Sequence, residues 1–306
     1  VTGVQTCALP IYYQAQIASA RSREACSTLK NTMQKTLKVA AVQMVSTPEP
    51  EANKQAAAHY IREAAEQGAS LVLLPEYWAI LGQHDTDKLA HAEPLGDGPL
   101  QEFMSSMARE CGVWLVGGTI PLISDEKDKV RNTLLAYSPD GQRVSYYDKI
   151  HLFGFSRGSE AFDESRTIVA GNDVAVLQTS HLRVGLSICY DLRFPELYRA
   201  MGLCDLIVVP AAFTYTTGQA HWEILLRARA IENQCYVLAA AQGGKHVTGR
   251  RTWGHSMLID PWGEILIQKP EGEGVVLGDL DLAQMASVRA SLPALQHRRQ
   301  IGRAHV

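Results

Sequence analysis

Short, uninterrupted apolar segments alternate with helix-like segments through most of this chain, and that alternation restricts the folds open to it. The apolar segments have the length and composition of strands covered on both faces, and they lie at 38–44, 69–76, 113–120, 174–178, 183–188, 206–210 and 236–241. The helix-like segments lie at 51–67, 100–111, after Phe194 and at 217–232. Strands that alternate with helices predict an α/β fold in which helical layers cover a sheet.

Two β-hairpins interrupt the alternation, which indicates mixed sheets rather than purely parallel ones. Segments 132–138 and 143–148 flank a Pro-Asp-Gly turn, and segments 255–260 and 264–268 flank a Pro-Trp-Gly turn. No Ser- or Gly-rich linker and no internal repeat divides residues 37–299, so we expect a single domain there.

The two ends of the chain differ from this pattern. Residues 1–11 and 300–306 back-translate to sequences that resemble sequencing adapters. We therefore expect residues 1–36 to be a non-native or disordered tail and residues 300–306 to be a non-native tail.

The charge balance argues against nucleic acids and anionic membranes as partners. The chain has 32 acidic and 29 basic side chains, a formal net charge of −3 and no run of Lys or Arg. Its apolar runs, of which 206–213 is an example, fall far short of the ~18 residues that a membrane-spanning helix needs. Six cysteines are scattered over 306 residues, which is unlike a disulfide framework and predicts a cytoplasmic protein.

A cysteine lies where a buried strand turns into a helix. In GLSICYDLRFPE, residues 185–196, the strand delivers Cys189 into a turn and a helix starts near Pro195. This arrangement resembles a nucleophile elbow, which presents a reactive side chain beside backbone N–H groups that can hold an oxyanion. Cys111, Cys204 and Cys235 lie in or beside apolar segments, and we expect them to be structural because buried cysteine commonly behaves as a small hydrophobe.

Two further ionisable residues close strand-like segments. Glu76 ends LVLLPE, and Lys149 follows RVSYYD. Ligands of open α/β sheets gather outside the carboxyl ends of strands, so both residues are candidates for a site. The sequence also allows a non-functional interpretation of each: Glu76 as a carboxylate that begins a helix, and Lys149 as a solvated surface lysine. His151 and His221 could in principle serve Cys189 as a base, and the sequence alone leaves that alternative open.

The sequence contains no motif for a metal or nucleotide cofactor. It has no CxxC or HExxH pattern, its histidines are widely spaced, and it has neither a Walker loop nor GxGxxG. We therefore expect a protein that works without a cofactor and without a metal site.

Three motifs, taken in order, resemble the nitrilase superfamily of carbon–nitrogen hydrolases: LLPE at Glu76, YYDKIHLF at Lys149 and ICYDLRFPELYR at Cys189. The resemblance spans the predicted domain and implies the family's four-layer α-β-β-α sandwich with mixed sheets. It implies that Glu76 is the general base, Lys149 the oxyanion-stabilising cation and Cys189 the nucleophile. It also implies supporting roles for Glu164, which matches the family's second glutamate, and for the N–H of Tyr190. A homodimer or larger homo-oligomer, formed through one helical layer, is expected from the same resemblance.

Two longer segments resemble one branch of that superfamily, the deaminated-glutathione amidases, whose neighbours are the omega-amidases. They are AAFTYTTGQAHWEILLRARAIENQCYVLAAAQGG at 211–244 and HVTGRRTWGHSMLIDPWG at 246–263, of which the second separates the two branches. Side chains in the family's pocket-lining segments, and two arginines suited to a substrate carboxylate, are candidate substrate contacts: Tyr77, Phe213, Thr214, Tyr215, His221, Trp222, Arg250 and Arg251.

The resemblance implies a thiol amidase that acts on a small-molecule amide. The expected substrate is deaminated glutathione, whose 2-oxoglutaramate-type amide would be cleaved through a cysteine thioester to a 2-oxo acid and an amine or ammonia, a metabolite-repair reaction. An omega-amidase that acts on 2-oxoglutaramate itself is the enzymatic alternative. A catalytically inactive ligand-binding or scaffold protein is the alternative of another class, and the intact Glu76, Lys149 and Cys189 argue against it.

Overall fold

The computed structural model describes residues 36–158 and 160–299. The predicted terminal tails therefore lie outside the described residues, except for Thr36. The described part contains the following strands: β1 (Thr36–Gln43), β2 (Leu71–Leu73), β3 (Trp114–Val116), β4 (Ile120–Ile123), β5 (Val130–Tyr137), β6 (Arg143–Asp148), β7 (Gly154–Arg157), β8 (Glu160–Asp163), β9 (Val176–Gln178), β10 (Arg183–Leu186), β11 (Leu206–Ala211), β12 (Tyr236–Ala241), β13 (Ser256–Ile259), β14 (Ile265–Lys269) and β15 (Gly274–Asp281).

The α-helices of the described part are α1 (Pro50–Glu66), α2 (Pro99–Cys111), α3 (Pro195–Ala200), α4 (Tyr215–Asn233) and α5 (Leu282–Ser291). Pro occupies the start of α1, α2 and α3, where its missing N–H would have no intrahelical partner. Over 36–158 and 160–299, no helix is both long enough and apolar enough to cross a membrane.

The strands form two large mixed sheets. The first sheet has the order β15-β1-β2-β3-β5-β4, with β6 paired to β5, and the second has the order β14-β13-β12-β11-β10-β9. In each sheet the central strands are parallel, β1-β2-β3 in the first and β10-β11-β12 in the second, and hairpin strands pair antiparallel outside them. The strands β7 and β8 form a separate hairpin.

The alternating side chains of β1 define the layers. Val39 and Ala41 belong to the apolar core between the two sheets, which includes Leu186 and Val208 of the second sheet. The intervening residues Ala40 and Val42 belong to a second core, which the first sheet forms with α1 and α2. Helix α4 packs on β12 and β13, so it covers the second sheet. The result is an α-β-β-α sandwich, as predicted, with one apolar core that includes side chains of both sheets and of α4 and another beneath α1 and α2.

One predicted strand is divided in two. The sequence predicts a single strand over 113–120, but β3 ends at Val116 and β4 begins at Ile120. Both strands pair antiparallel with β5, so β4 continues in the direction of β3 after a short irregular segment. Gly118 permits this irregular segment because its φ is +54° and a Cβ there would clash with the carbonyl oxygen of Pro75. The close approach packs the irregular segment against the residues that precede Glu76.

Candidate active site

The carboxylate of Glu76 is hydrogen-bonded to residues of both sheets. It follows β2, and its side chain is only 1% exposed. Its Oε1 accepts hydrogen bonds from Asn132 Nδ2 on β5 at 2.9 Å and from Lys149 Nζ at 2.8 Å. Its Oε2 accepts the backbone N–H of Ala212, directly after β11 of the second sheet, at 2.8 Å. The carboxylate is therefore held from three directions, and its orientation is fixed before any substrate binds.

Lys149 follows β6 and is fully buried between two carboxylates. Its Nζ lies 2.8 Å from Glu76 Oε1, and 2.9 and 2.8 Å from the two oxygens of Glu164. Burial alone would lower the pKa of this ammonium, but the charges of Glu164 and Glu76 outweigh it and hold the pKa well above the usual value. Lys149 is consequently a permanent, immobile cation at neutral pH.

Glu164, which follows β8, is the second carboxylate of the cluster. Its Oε1 accepts the hydroxyl of Tyr77 at 2.8 Å, and its Oε2 accepts the N–H of Phe153 at 2.7 Å. Burial works to raise the pKa of Glu164, but the neighbouring ammonium of Lys149 and these donors lower it overall. Glu164 therefore stays ionised and remains paired with Lys149.

Cys189 occupies a strained turn shortly after the strand β10, which ends at Leu186. Its φ is +49°, in the left-handed region that non-glycine residues rarely adopt, and it begins a 3-10 turn, Cys189–Arg193, that leads into α3. The buried carboxylate of Asp191 holds this turn by accepting the N–H of Ile188 at 2.9 Å and the hydroxyl of Tyr147 at 2.8 Å. Since Tyr147 is on β6, Asp191 ties the cysteine turn to the strand that carries Lys149.

The thiol of Cys189 is protonated at rest. The residue is 7% exposed, and burial, followed by the negative charge of Glu76, raises the pKa of the thiol well above its usual value although Lys149 opposes this. His151 and His221 are engaged elsewhere: His151 Nδ1 lies 2.7 Å from Asp191 Oδ1, and His221 Nδ1 lies 3.2 Å from Arg193. The charged groups that act most strongly on the thiol are therefore Glu76 and Lys149.

Two adjoining cavities lie at Glu76 and Cys189. The inner chamber is lined by residues that include Glu76, Cys189, Tyr190, Phe213, Thr214 and Thr217. The outer chamber is lined by residues that include Lys88, Asp85, His84 and Phe162. Four residues line both chambers, so the chambers are neighbours: Tyr77, Phe153, Glu164 and Arg250.

The structure brings some of the predicted substrate contacts to these chambers and leaves others outside. Tyr77, Phe213, Thr214 and Arg250 line the inner chamber. Neither chamber's lining includes the other four: Tyr215, His221, Trp222 and Arg251.

Tyr215, His221 and Trp222 lie on α4, whose successive residues point in directions about 100° apart, so only part of this helix can face the chamber. Trp222 is fully buried against Phe213 and donates its indole N–H to the carbonyl of His255 at 2.9 Å. Tyr215 stacks under the guanidinium of Arg251, at 3.7 Å from the ring centroid. These three aromatic and cationic side chains therefore support the loop behind the chamber wall.

Asn132 is a part of the site that the sequence analysis missed. It is buried on β5 and donates to the carboxylate that we interpret as the base. The available signal was its position in VRNTLLAY, where an amide interrupts an otherwise apolar strand. Lys88 was missed as well, because it belongs to a short 3-10 turn at Asp87–His91 and no periodic sequence pattern predicts such a turn.

No cluster of three or more metal-ligating side chains occurs among residues 36–158 and 160–299. Residues 38–290 match the family described as carbon–nitrogen hydrolase. The chain belongs to the carbon–nitrogen hydrolase family. The membership predicted from three short motifs is confirmed, and so is the class of enzyme.

Similar proteins support the same assignment along nearly the whole domain of this carbon–nitrogen hydrolase. The deaminated glutathione amidase of Synechocystis is 42% identical over 265 residues, which are 85% of this chain and 97% of that protein. The omega-amidase NIT2 of Homo sapiens is 40% identical over 252 residues, which are 81% of this chain and 89% of that protein. The similarity therefore includes both branches that the sequence analysis weighed.

The fold is confirmed by a solved structure. Nit3 of Saccharomyces cerevisiae, a member of branch 10 of the nitrilase superfamily, superimposes with a TM-score of 0.75 at 30% identity. The superposition covers 89% of this chain and 98% of Nit3. The carbon–nitrogen hydrolase therefore has the nitrilase-like sandwich predicted for it.

Proposed function

We propose that this carbon–nitrogen hydrolase is a deaminated-glutathione amidase that uses Cys189 as nucleophile, Glu76 as general base and Lys149 as oxyanion-stabilising cation. The observation that carries the proposal is the buried cluster in which Lys149 contacts Glu76 and Glu164 within 2.9 Å. Both carboxylates line the cavity that Cys189 also lines. The relatives named deaminated glutathione amidase support the choice of substrate, at 42% identity for the Synechocystis protein.

The first half-reaction forms a thioester. Glu76 accepts the Cys189 proton, and the thiolate attacks the amide carbon of the substrate. Negative charge then develops on the amide oxygen, where Lys149 and the N–H of Tyr190 stabilise it. Protonated Glu76 passes its proton to the departing nitrogen, and the cysteinylglycine amine leaves.

The second half-reaction returns the enzyme to its starting state. Glu76 takes a proton from water, the resulting hydroxide attacks the thioester, and the 2-oxo acid is released as Cys189 regains its proton. Glu164 has a distinct purpose in this cycle. Whenever Glu76 is protonated, Glu164 remains the anionic partner of Lys149 and keeps the ammonium paired and fixed in place.

The experiment that tests the function compares two substrates. Wild-type enzyme is assayed on deaminated glutathione and on 2-oxoglutaramate, and release of cysteinylglycine or ammonia is measured. We expect turnover of both and a higher kcat/KM for deaminated glutathione. A higher kcat/KM for 2-oxoglutaramate would favour the omega-amidase alternative, which the similarity to the human NIT2 protein supports. Release of neither product would favour an inactive binding protein.

We also propose a homodimer formed through α4. The outward face of this helix carries Ile224, which is 70% exposed, and Ile231, which is 51% exposed. Trp262, in the turn between β13 and β14, is 56% exposed, and its neighbour Gly263 packs near Ile231. Exposed apolar side chains grouped in this way are typical of an interaction surface.

Sedimentation equilibrium tests the homodimer, with an expected mass of twice that of the chain. The variant Ile224→Lys is expected to shift the protein towards monomer, since a charge replaces the apolar contact. A wild-type mass equal to that of a single chain would contradict the proposal.

We further propose a reducing, cytoplasmic location, because a nucleophilic Cys189 must remain a free thiol.

A further inference from the structure

Two cations in the wall of the outer chamber have no anionic partner within the described protein. Lys88 and Arg250 both line this chamber. Over 36–158 and 160–299, neither side chain has a carboxylate within 4.0 Å. The neighbouring Arg251 is different, since its guanidinium pairs with Glu271 at 2.9 Å. The chamber wall, to which Asp85, Asp163 and Glu164 also belong, therefore carries two positive charges that no ion pair among the described residues neutralises.

Both cations are partly removed from water, which makes an anion at this place favourable. Burial is the largest influence on Lys88 and lowers the pKa of its ammonium, with Asp85 and Glu164 opposing this and Arg250 adding to it. The Nε–H of Arg250 is buried and finds no hydrogen-bond acceptor in the described part of the chain. A buried donor without an acceptor is costly, so an incoming acceptor recovers that cost on binding.

Aromatic rings hold both cations in position while leaving their N–H groups available. The guanidinium carbon of Arg250 lies 5.6 Å from the ring centroid of Phe162, and Lys88 Nζ lies 5.7 Å from that of Tyr77. Cation–π contacts at such distances fix orientation without consuming the hydrogen-bond donors. The donors are thus preorganised for a ligand.

We propose that Lys88 and Arg250 form a carboxylate-binding subsite for the leaving group of the substrate. This inference rests on the proposed function and deepens it, because it assigns the outer chamber to the amine that departs from the Cys189 thioester. Tyr77 and Glu164 line both chambers, so the outer chamber lies next to the one in which an amide would reach Cys189. The favoured leaving groups are therefore amines that carry a carboxylate, such as short peptides, rather than ammonia.

The test uses three substrates that differ only in the leaving group. They are deaminated glutathione, the same molecule with its terminal carboxylate converted to a carboxamide, and 2-oxoglutaramate. For wild-type enzyme we expect the carboxamide to lower kcat/KM by about 10- to 100-fold, the range for loss of charged hydrogen bonds. Equal kcat/KM for carboxylate and carboxamide would overturn the subsite without any variant being made.

Two variants then assign the effect to residues. Lys88→Gln and Arg250→Gln should each lower kcat/KM for deaminated glutathione by about 10-fold or more. The ratio of kcat/KM for the carboxamide to kcat/KM for 2-oxoglutaramate should change much less. Lys38→Gln is the matched control, because Lys38 pairs with Asp279 at 3.0 Å at the start of β1. Equal losses on all three substrates would mean that Lys88 and Arg250 support the fold or the common site, and would overturn the proposal.

Failure of the proposed function can be told apart from failure of the subsite. If wild-type enzyme hydrolyses none of the three substrates, the proposed function is wrong. Binding of N-acetylcysteinylglycine, which carries the same carboxylate, is then measured by calorimetry. Binding that weakens in Lys88→Gln and Arg250→Gln would support the subsite, and unchanged or undetectable binding would overturn it.

Discussion

Replacement of Cys189 by alanine is expected to lower kcat by about 10⁴-fold or more while leaving the melting temperature nearly unchanged. The substitution removes the sulfur that forms the thioester, and neither Glu76 nor Lys149 can form a covalent intermediate in its place. Alanine fits the space, and the turn keeps its hydrogen bonds from Ile188 and Tyr147 to Asp191. The measurements are steady-state release of cysteinylglycine and mass spectrometry of the trapped acyl-enzyme, which should appear only in the wild type.

Cys235→Ala is the matched control for that experiment. Cys235 is fully buried directly before β12, and burial raises the pKa of its thiol, as expected for a structural cysteine. Removing its sulfur should destabilise the protein by about 1–2 kcal/mol and leave kcat close to the wild-type value. Substantial turnover by Cys189→Ala would refute the assignment of the nucleophile, whatever the behaviour of Cys235→Ala.

The three candidate catalytic residues could be predicted because each carries a local signal. Glu76, Lys149 and Cys189 all follow short strands, and the strand–turn–helix pattern around Cys189 lies within one segment of a dozen residues. The distances between these three residues could not be predicted from the sequence. The contact between Lys149 and Glu76 joins residues 73 positions apart, and it depends on how β2 and β6 enter the same sheet.

The choice between Arg250 and Arg251 shows where the sequence fails. The two residues are adjacent in a loop, and their directions depend on isolated bridges that pair Arg251 with Lys245 and Thr252 with Thr214. These bridges turn Arg251 towards Tyr215 and leave Arg250 on the chamber. No property of the sequence GRRTWG distinguishes the two guanidinium groups.

The last strand of the first sheet illustrates the same limit at the level of the fold. The strand β15 comes from the far end of the domain, yet it pairs beside β1, the first strand described. Its burial is mostly intermediate, so its sequence GVVLGDLD lacks the continuous apolar run that marks the central strands. An edge position needs less apolar surface than a central one, and such strands are correspondingly hard to find in the sequence.

Lys149→Arg is expected to lower kcat by about 10²- to 10³-fold although the positive charge is conserved. The Lys149 ammonium is compact, 0% exposed, and lies within 2.9 Å of three carboxylate oxygens. A planar guanidinium is larger, and pairing with Glu164 and Glu76 would carry its N–H groups away from the place where the oxyanion develops. Because the oxyanion exists only in the transition state, KM should change far less than kcat.

Two measurements separate this effect from a loss of folding. The melting temperature of Lys149→Arg is compared with that of Lys38→Arg, in which the same substitution is made at the surface pair with Asp279. Single-turnover kinetics then ask whether acylation itself is slowed. A variant that keeps near wild-type kcat would show that Lys149 contributes only charge, and the oxyanion would have to be held by the backbone N–H of Tyr190. A folded variant with normal KM and slow acylation would instead require that the ammonium occupy one precise position between Glu76 and Glu164.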